Sequence, residues 1–188
     1  EKIGMEAYLT LESVGLTILE SIAIYLGLEK KYFTDKVKGG ESIMRSIHYY
    51  PLNENDVQDG AVRAAAHGDI NLITLLMGAS ADGLEIFTKD KKWIPIISEP
   101  DQLVINVGDM MERLTNKRLM STVHRVVNPD NSKLNTSRYS IPFFMHPKPH
   151  MDLSCLESCI DKDNPKSFDD TTAGEFLEKR LKEIGLKK

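Results

Sequence analysis

The stretch AAAHGDINLITLL, residues 64–76, places a histidine and an aspartate one residue apart, just before a strongly apolar segment. In an extended strand successive side chains point to opposite faces, so His67 and Asp69 project on the same side of Gly68. An imidazole and a carboxylate on one face make half of a metal site. The alternative is that the two side chains simply hydrogen-bond to each other in a turn at the end of a strand.

The chain from residue 41 to residue 145 consists of short runs rich in β-branched and aromatic residues, each bounded by Gly, Pro, Asn or Asp. No helix-length crossover separates these runs, which favours a sandwich, barrel or jelly roll over a fold of alternating strands and helices. The segment FTKDKKWIP, residues 87–95, is predicted to form a hairpin. The predicted strands lie in ESIMRSIHYYP, AVRAAAHGD, NLITLLMG, GLEIFTKD, KWIPII, QLVINVGD, MSTVHRVV and TSRYSIPFFM.

Helical patterns flank this region on both sides. Residues 5–32 carry apolar side chains at i, i+4 spacing, which predicts a long helix buried along Val14, Ile18, Ile22 and Leu26. Near the C-terminus, Thr172 and Glu175 fit a capping box that opens a closing helix. We therefore predict a single domain over residues 1–188, with a supporting helix region (1–38), a jelly-roll core (41–146) and a C-terminal loop and helix (147–188).

Composition limits the classes of ligand. The chain has 188 residues, a formal net charge of −4 and a pI near 5.8, so a nucleic-acid or anionic-membrane surface is not expected and the partner is a small molecule. The apolar stretch at residues 14–28 is interrupted by Glu20 and predicts a core helix rather than a membrane span. Two cysteines, Cys155 and Cys159, make no disulfide framework, which favours free thiols and a cytoplasmic location. The chain lacks an initiator methionine, and a further N-terminal region is expected to precede it.

Two more elements extend the candidate site. A third metal ligand could come from His48, His124, His146 or His150, and His124 is the best placed because MSTVHRVV has a strand pattern. Two imidazoles and one carboxylate leave coordination positions open, as in non-haem Fe(II) oxygenases. Arg138 and Ser140 lie two residues apart in a predicted strand, so their side chains share one face and could bind a carboxylate together. The alternatives are that His124 is a core histidine and that Arg138 faces solvent on an edge strand, which Pro142 would suit.

The ordered series MRSIHYYP, HGDINLITLL, LVINVGD, STVHRVVNP and RYSIPFF resembles the isopenicillin-N-synthase-like family of Fe(II)- and 2-oxoglutarate-dependent oxygenases. The resemblance implies a mainly β fold with flanking helices, a double-stranded β-helix or jelly roll. It implies that His67, Asp69 and His124 bind Fe(II), and that Arg138 and Ser140 bind 2-oxoglutarate. The N-x-Y-P element of the family falls on HYYP, so Tyr50 is expected at the co-substrate site, with His48 replacing the asparagine.

The activity implied by this resemblance is oxidation of a small organic substrate by O2, usually hydroxylation, with release of succinate and CO2. No catalytic acid or base beyond the metal ligands is expected. Two alternatives stay open: a 2-oxoglutarate-independent oxidase of the isopenicillin N synthase type, and a non-catalytic metal-binding jelly-roll module. The sequence leaves the substrate and the oligomeric state undefined.

Overall fold

The predicted strands form two antiparallel sheets in the computed structural model, which describes residues 2–53, 57, 60–99, 101–129 and 133–187. The larger sheet has the order β1-β9-β4-β7, with β2 also paired to β9. The smaller sheet has the order β3-β8-β5-β6. The strands of the larger sheet are β1 (Ile43–Met44), β2 (Ile47–Tyr49), β4 (Ile73–Met77), β7 (Leu103–Val107) and β9 (Arg138–Met145). Those of the smaller sheet are β3 (Ala64–His67), β5 (Leu84–Phe87), β6 (Trp93–Pro95) and β8 (His124–Val126).

Each predicted run contains a strand, and the first run contains two, so the mainly β fold with flanking helices is confirmed. The hairpin at residues 87–95 is also present. Phe87 pairs with Trp93 across it, and Lys91 takes a φ of 58° at the turn.

The first helix, α1 (Lys2–Tyr25), covers one face of the larger sheet and contacts β9 and β4. Its fully buried positions are Leu11, Gly15, Leu19 and Ala23. Val14, Ile18 and Ile22 only flank this line, so this part of the predicted stripe is wrong by one residue, whereas Leu26, just after the helix, is buried as predicted. The cause is close packing: a Cβ on Gly15 would lie 2.5 Å from the Met145 sulfur, so the helix turns its smallest residue toward the sheet.

The helix α1 ends earlier than residue 32, the predicted end. Gly27 takes a φ of 73°, a conformation that commonly follows the last turn of a helix. Among the described helices, α1 is the one long and apolar enough to cross a membrane by length and composition. Its buried residues pack in the core beneath the larger sheet.

The described chain has three further α-helices, α2 (Thr34–Val37), α3 (Asp109–Leu114) and α4 (Ala173–Glu183), and a short 3-10 helix at Glu157–Cys159. The predicted capping box opens α4, since Thr172 accepts a hydrogen bond from the Glu175 backbone and the Glu175 carboxylate accepts one from the Thr172 backbone. Cys155 and Cys159 are free, as predicted, and both are buried.

Alternate side chains of β9 lie on opposite faces of the larger sheet, one face in the hydrophobic core and the other in a pocket. Phe143 and Met145 belong to the core that α1 covers. Arg138, Ser140 and Phe144, on the opposite face, line a pocket between the two sheets. One strand therefore supplies both the packing surface and the pocket wall.

Candidate active site

The two histidines of the site are brought together by strand pairing in the smaller sheet. His67, the last residue of β3, lies directly opposite His124, the first residue of β8. Directly opposed side chains in an antiparallel pair share a face, and the two ring centroids are 4.4 Å apart. The register of two short strands is therefore enough to set both imidazoles side by side.

Asp69 follows β3 and turns its carboxylate toward the two imidazoles. The candidate ligand atoms of His67, Asp69 and His124 all lie within 4.8 Å of one another, and Asp69 Oδ1 is 3.8 Å from His124 Nε2. Asp69 is only 6% exposed. No other group of three potential ligands of this kind is found in the described part of the chain.

Glycine at position 68 allows the turn between the two ligands. A Cβ there would lie 2.8 Å from the Ser121 hydroxyl and 3.0 Å from the Asp109 carboxylate. The backbone N–H of Asp109 also donates to the Asp69 carbonyl at 2.7 Å. The loop is thus held against the start of α3, which fixes the backbone that carries Asp69.

Each imidazole is oriented by a hydrogen bond from its second nitrogen. His67 Nδ1 lies 2.7 Å from the Ala65 carbonyl oxygen, and His124 Nδ1 lies 2.9 Å from that of Thr122. A carbonyl can only accept, so Nδ1 carries the proton in both rings. This leaves the unprotonated Nε2 atoms as the metal-binding atoms.

The second carboxylate oxygen of Asp69, Oδ2, is also held by hydrogen bonds from the protein. Asp69 Oδ2 accepts hydrogen bonds from the Thr74 hydroxyl at 2.6 Å and from the Asn106 amide at 2.8 Å. Asn71 in turn donates to the Thr74 oxygen at 2.9 Å, so the Thr74 proton is directed to Asp69. Asp69 Oδ1 remains free for a cation.

These observations fit a divalent metal bound by two histidines and one carboxylate. Three ligand atoms converge, and the other polar atoms of all three side chains are engaged with the protein. Such a ligand set leaves positions for further ligands and is typical of non-haem Fe(II). His67 and Asp69 bind separate partners, contrary to the alternative in which they simply bond to each other.

Arg138 and Ser140 lie on the pocket side of β9, and Arg138 is only 1% exposed. Its Nε donates to the Ala81 and Asp82 carbonyl oxygens, both at 3.1 Å, whereas Nη1 is buried without a partner. Burial lowers the pKa of this guanidinium, and Tyr49 and Asp82 partly oppose that shift. A buried cation with a free donor fits a carboxylate ligand such as that of 2-oxoglutarate.

The edge-strand alternative for Arg138 is wrong. Arg138 is buried rather than solvent-facing, and β9 pairs with β2 at this end and with β4 along Ile141–Met145. Pro142 is tolerated because it lies in the interval where β1 has ended and β2 has not begun.

The structure corrects the prediction for Tyr50 by one residue. Ile47 and Tyr49 lie opposite Ser140 and Arg138 and therefore share their pocket-facing side. The Arg138 guanidinium lies 5.2 Å from the centre of the Tyr49 ring. Tyr50 is 72% exposed and its ring contacts His48 on the outer side. Tyr49 thus occupies the place expected for Tyr50.

The remaining candidate histidines lie apart from the metal-binding group. His48 stacks on Tyr139 outside the sheet, and His150 is exposed. His146 is buried, and burial lowers its pKa to about 4 although the charge of Asp69 opposes the shift.

Three residues of the site were missed by the sequence analysis: Thr74, Tyr49 and Arg45, which lines the rim of the pocket. For Thr74 a signal existed, because it is a hydroxyl side chain within the otherwise apolar strand ITLLM. The other two depend on the register of β2 against β9, which the local sequence leaves undefined.

Comparison with known proteins agrees with this geometry. The profile described as the 2OG-Fe(II) oxygenase superfamily matches residues 40–147. The 2-oxoglutarate-Fe(II) type oxidoreductase hxnY of Emericella nidulans is 33% identical over 159 residues, which cover 83% of this chain and 44% of that protein. Flavanone 3-dioxygenase 3 of Oryza sativa subsp. japonica is 32% identical over 168 residues, or 88% of this chain and 48% of that one. The chain spans about half the length of these curated relatives.

Solved structures show the same similarity. A 2OG-Fe(II) oxygenase family protein from Caulobacter crescentus superposes with a TM-score of 0.87 at 46% identity, covering 96% of this chain and 58% of that one. A full-length Neurospora crassa protein in complex with alpha-KG superposes with a TM-score of 0.86 at 27% identity, covering 94% and 55%. The jelly-roll fold expected from the sequence is thereby confirmed.

Proposed function

Since this chain belongs to the 2OG-Fe(II) oxygenase superfamily, we propose that the protein is an Fe(II)- and 2-oxoglutarate-dependent dioxygenase that hydroxylates a small organic substrate. The reaction would consume O2 and release succinate and CO2. The observation that carries the proposal is the arrangement of His67, Asp69 and His124, in which every ligand side chain keeps one atom free and has the other bound to the protein.

The metal and its co-substrate supply the oxidising chemistry when bound, and the protein supplies position and environment. His67 and His124 would each present Nε2, and Asp69 would present Oδ1. Arg138 and Ser140 would hold the distal carboxylate of 2-oxoglutarate, with the Tyr49 ring beside the guanidinium. No side chain is assigned as a catalytic acid or base.

The pocket walls support a dry reaction site. Leu76, Leu84, Ile86, Val104 and Val126 contribute apolar surface between the metal ligands and Arg138. Apolar walls exclude water and strengthen the electrostatic interactions of the few polar groups inside. A small organic substrate is the kind of molecule that such a pocket accepts.

The test is an anaerobic titration of the Fe(II)-loaded protein with 2-oxoglutarate, followed through the visible charge-transfer absorption of the Fe(II) chelate. We expect a saturable band that is lost when Arg138 is changed to Ala. Fe(II) binding without a band would overturn 2-oxoglutarate dependence and favour the oxidase of the isopenicillin N synthase type. A band without succinate release in the presence of any substrate would favour the non-catalytic module.

The remaining expectations belong to this proposal. The acidic pI and the two free cysteines support a cytoplasmic protein that binds neither nucleic acid nor membranes. Fractionation of the native cells, followed by immunoblotting of the cytosolic and membrane fractions, would test the location.

A further inference from the structure

Arg45 is a second cation at the pocket that the proposed metal and 2-oxoglutarate sites leave without a role. It lies between β1 and β2, and its backbone N–H donates to the Pro142 carbonyl at 3.0 Å. Its side chain lines the same pocket as the metal ligands and Arg138. No ion pair joins Arg45 to a carboxylate of the described residues.

The Arg45 guanidinium is placed by Phe144. The two are 5.0 Å apart, measured from the guanidinium carbon to the ring centre, which is within the range of a cation–π contact. Phe144 also lines the pocket. The contact holds the guanidinium at the rim without occupying its N–H donors, because the ring face accepts no conventional hydrogen bond.

The register of the larger sheet places this pair at the metal end of the pocket. Phe144 lies opposite Thr74, and Thr74 is the residue that holds the Asp69 carboxylate. Arg138 lies at the other end of the pocket-facing line of β9. A molecule bound to Arg45 would therefore approach the metal ligands from the end opposite to Arg138.

The charges of the pocket favour an anion there. Its charged lining residues are Arg45, Arg138 and Asp69. Fe(II) and the 2-oxoglutarate dianion carry equal and opposite charges. A pocket that holds both therefore keeps the net positive charge of its two arginines and one aspartate. Asp69 offsets one of the two guanidinium charges, and Arg45, which is exposed at the rim, presents the remaining positive charge to an incoming monoanion.

We propose that Arg45 binds the carboxylate of the substrate, which is a small organic acid whose hydrocarbon part lies against Phe144 and the apolar wall near the metal. Arg45 is thus a residue that determines substrate specificity, and Phe144 positions it. A planar guanidinium matches a carboxylate with two parallel hydrogen bonds, an arrangement that an amide cannot reproduce. This inference rests on the proposed function for the identity of the reaction, but binding can be measured without turnover.

The experiment is an anaerobic calorimetric titration of the protein with Fe(II) and saturating 2-oxoglutarate, which keeps Arg138 occupied. The probes are benzoate against benzamide and butyrate against butyramide, so each pair differs only in the acid group. For the wild-type protein we expect each acid to bind about tenfold or more tightly than its amide, as is usual for a charge-assisted pair. In Arg45→Gln the preference should disappear, and in Arg45→Lys part of it should remain.

Arg118→Gln is the matched control, because Arg118 is an exposed arginine that donates to the Ser158 carbonyl and lies outside the pocket. It should keep the wild-type preference. The affinity for 2-oxoglutarate should be unchanged in Arg45→Gln, because Arg138 holds that ligand.

The two proposals fail in different ways. A wild-type protein that binds no 2-oxoglutarate overturns the proposed function, while the acid preference and its dependence on Arg45 can still be measured in the Arg138→Met background, where the second guanidinium is absent. A wild-type protein that binds the acids no better than the amides, or binds neither, overturns the role of Arg45. An acid preference that survives in Arg45→Gln overturns it as well.

Discussion

Thr74 and Asn106 lie directly opposite each other in the β4–β7 ladder, and both donate to the same oxygen of Asp69. The two histidines come from the smaller sheet, whereas the aspartate is fixed by the larger one. The metal-binding group therefore depends on the relative position of the two sheets. Any change that releases Asp69 from the larger sheet should weaken metal binding without unfolding either sheet.

Thr74→Val removes one of these donors and keeps the shape of the side chain. We expect the affinity for Fe(II) or Mn(II) to fall about 10- to 100-fold, the usual effect of losing a hydrogen bond behind a metal ligand. Metal affinity can be measured by competition with a chelating dye. Thr10→Val, on the exposed face of α1, is the control and should bind metal like the wild type. Unchanged affinity in Thr74→Val would contradict this role.

Tyr49 and Tyr50 are neighbours that the structure predicts to behave differently. Tyr49→Ala removes the ring beside Arg138 and should weaken 2-oxoglutarate binding about tenfold, or about 1.4 kcal/mol, the scale of a desolvated cation–π contact. Tyr50→Ala should bind 2-oxoglutarate like the wild type, since Tyr50 is exposed. The anaerobic absorbance titration measures both. The reverse order of effects would show that β2 pairs with β9 in a different register.

Arg138→Met tests whether the buried guanidinium serves to bind 2-oxoglutarate rather than to stabilise the fold. We expect the variant to lose the stabilisation that 2-oxoglutarate gives the wild type, which is about 2.7 kcal/mol at a hundredfold excess over Kd. In the absence of ligands we expect the variant to be no less stable, because a buried cation with a free N–H is replaced by an apolar side chain. Chemical denaturation with and without 2-oxoglutarate gives both values. A large loss of stability without ligand would indicate a structural role for Arg138.

The sequence predicted the strands, the closing helix and the pairing of His67 with Asp69 on one face because those features are local. The pattern H-G-D and the alternation R-Y-S each lie within three residues. Tyr49 was missed because the side of the sheet on which its ring lies depends on how β2 pairs with β9, about ninety residues later. A shift of one residue in that pairing would move every side chain of β2 to the opposite side of the sheet. The buried residues of α1 were misplaced for a related reason. Periodicity shows that a helix has an apolar side, but it is the close contact with Met145 that places Gly15 in the middle of the buried side.

Asn106 illustrates the same limit within the site. The sequence places it near the end of a predicted strand, before GD, and does not indicate which ligand its amide supports. In the structure its amide donates to Asp69, which follows β3. The residue type indicated a supporting hydrogen bond, but only the pairing of β7 with β4 determines which ligand receives it.

Gly108 supports the metal site from a distance. A Cβ at this position would overlap both the carbonyl and the amide oxygen of Asn71, the residue that donates to Thr74. Gly108→Ala should therefore lower the free energy of unfolding by roughly 1–3 kcal/mol and also weaken metal binding. Gly4→Ala is the control, because a Cβ there meets nothing within 4 Å. A variant that loses stability but keeps full metal affinity would show that Asn71 does not support the metal site.

His146 should make stability depend on pH. Burial lowers its pKa from 6.5 to about 4 in the folded protein, so between these values the unfolded chain binds more protons. Stability is then complete above pH 6.5 and falls as the pH falls toward 4, by up to about 3 kcal/mol. In His146→Gln this part of the pH dependence should be absent in denaturation of the metal-free protein. His150→Gln, at an exposed histidine, should retain it. Equal slopes in the wild type and His146→Gln would refute the assignment.

The interruption between β1 and β2 has a consequence for how such a pocket could diversify. Arg138 and Ser140 are buried, so a replacement there disturbs the packing around the pocket as well as the contact with a ligand. Arg45 is exposed at the pocket rim, and it contacts β9 through its backbone N–H, which donates to the Pro142 carbonyl. Substitution at this position can alter which molecule is accepted while the pairing of β9 stays intact. The fold thus separates an exposed position, where a new side chain costs little stability, from buried positions where it costs more.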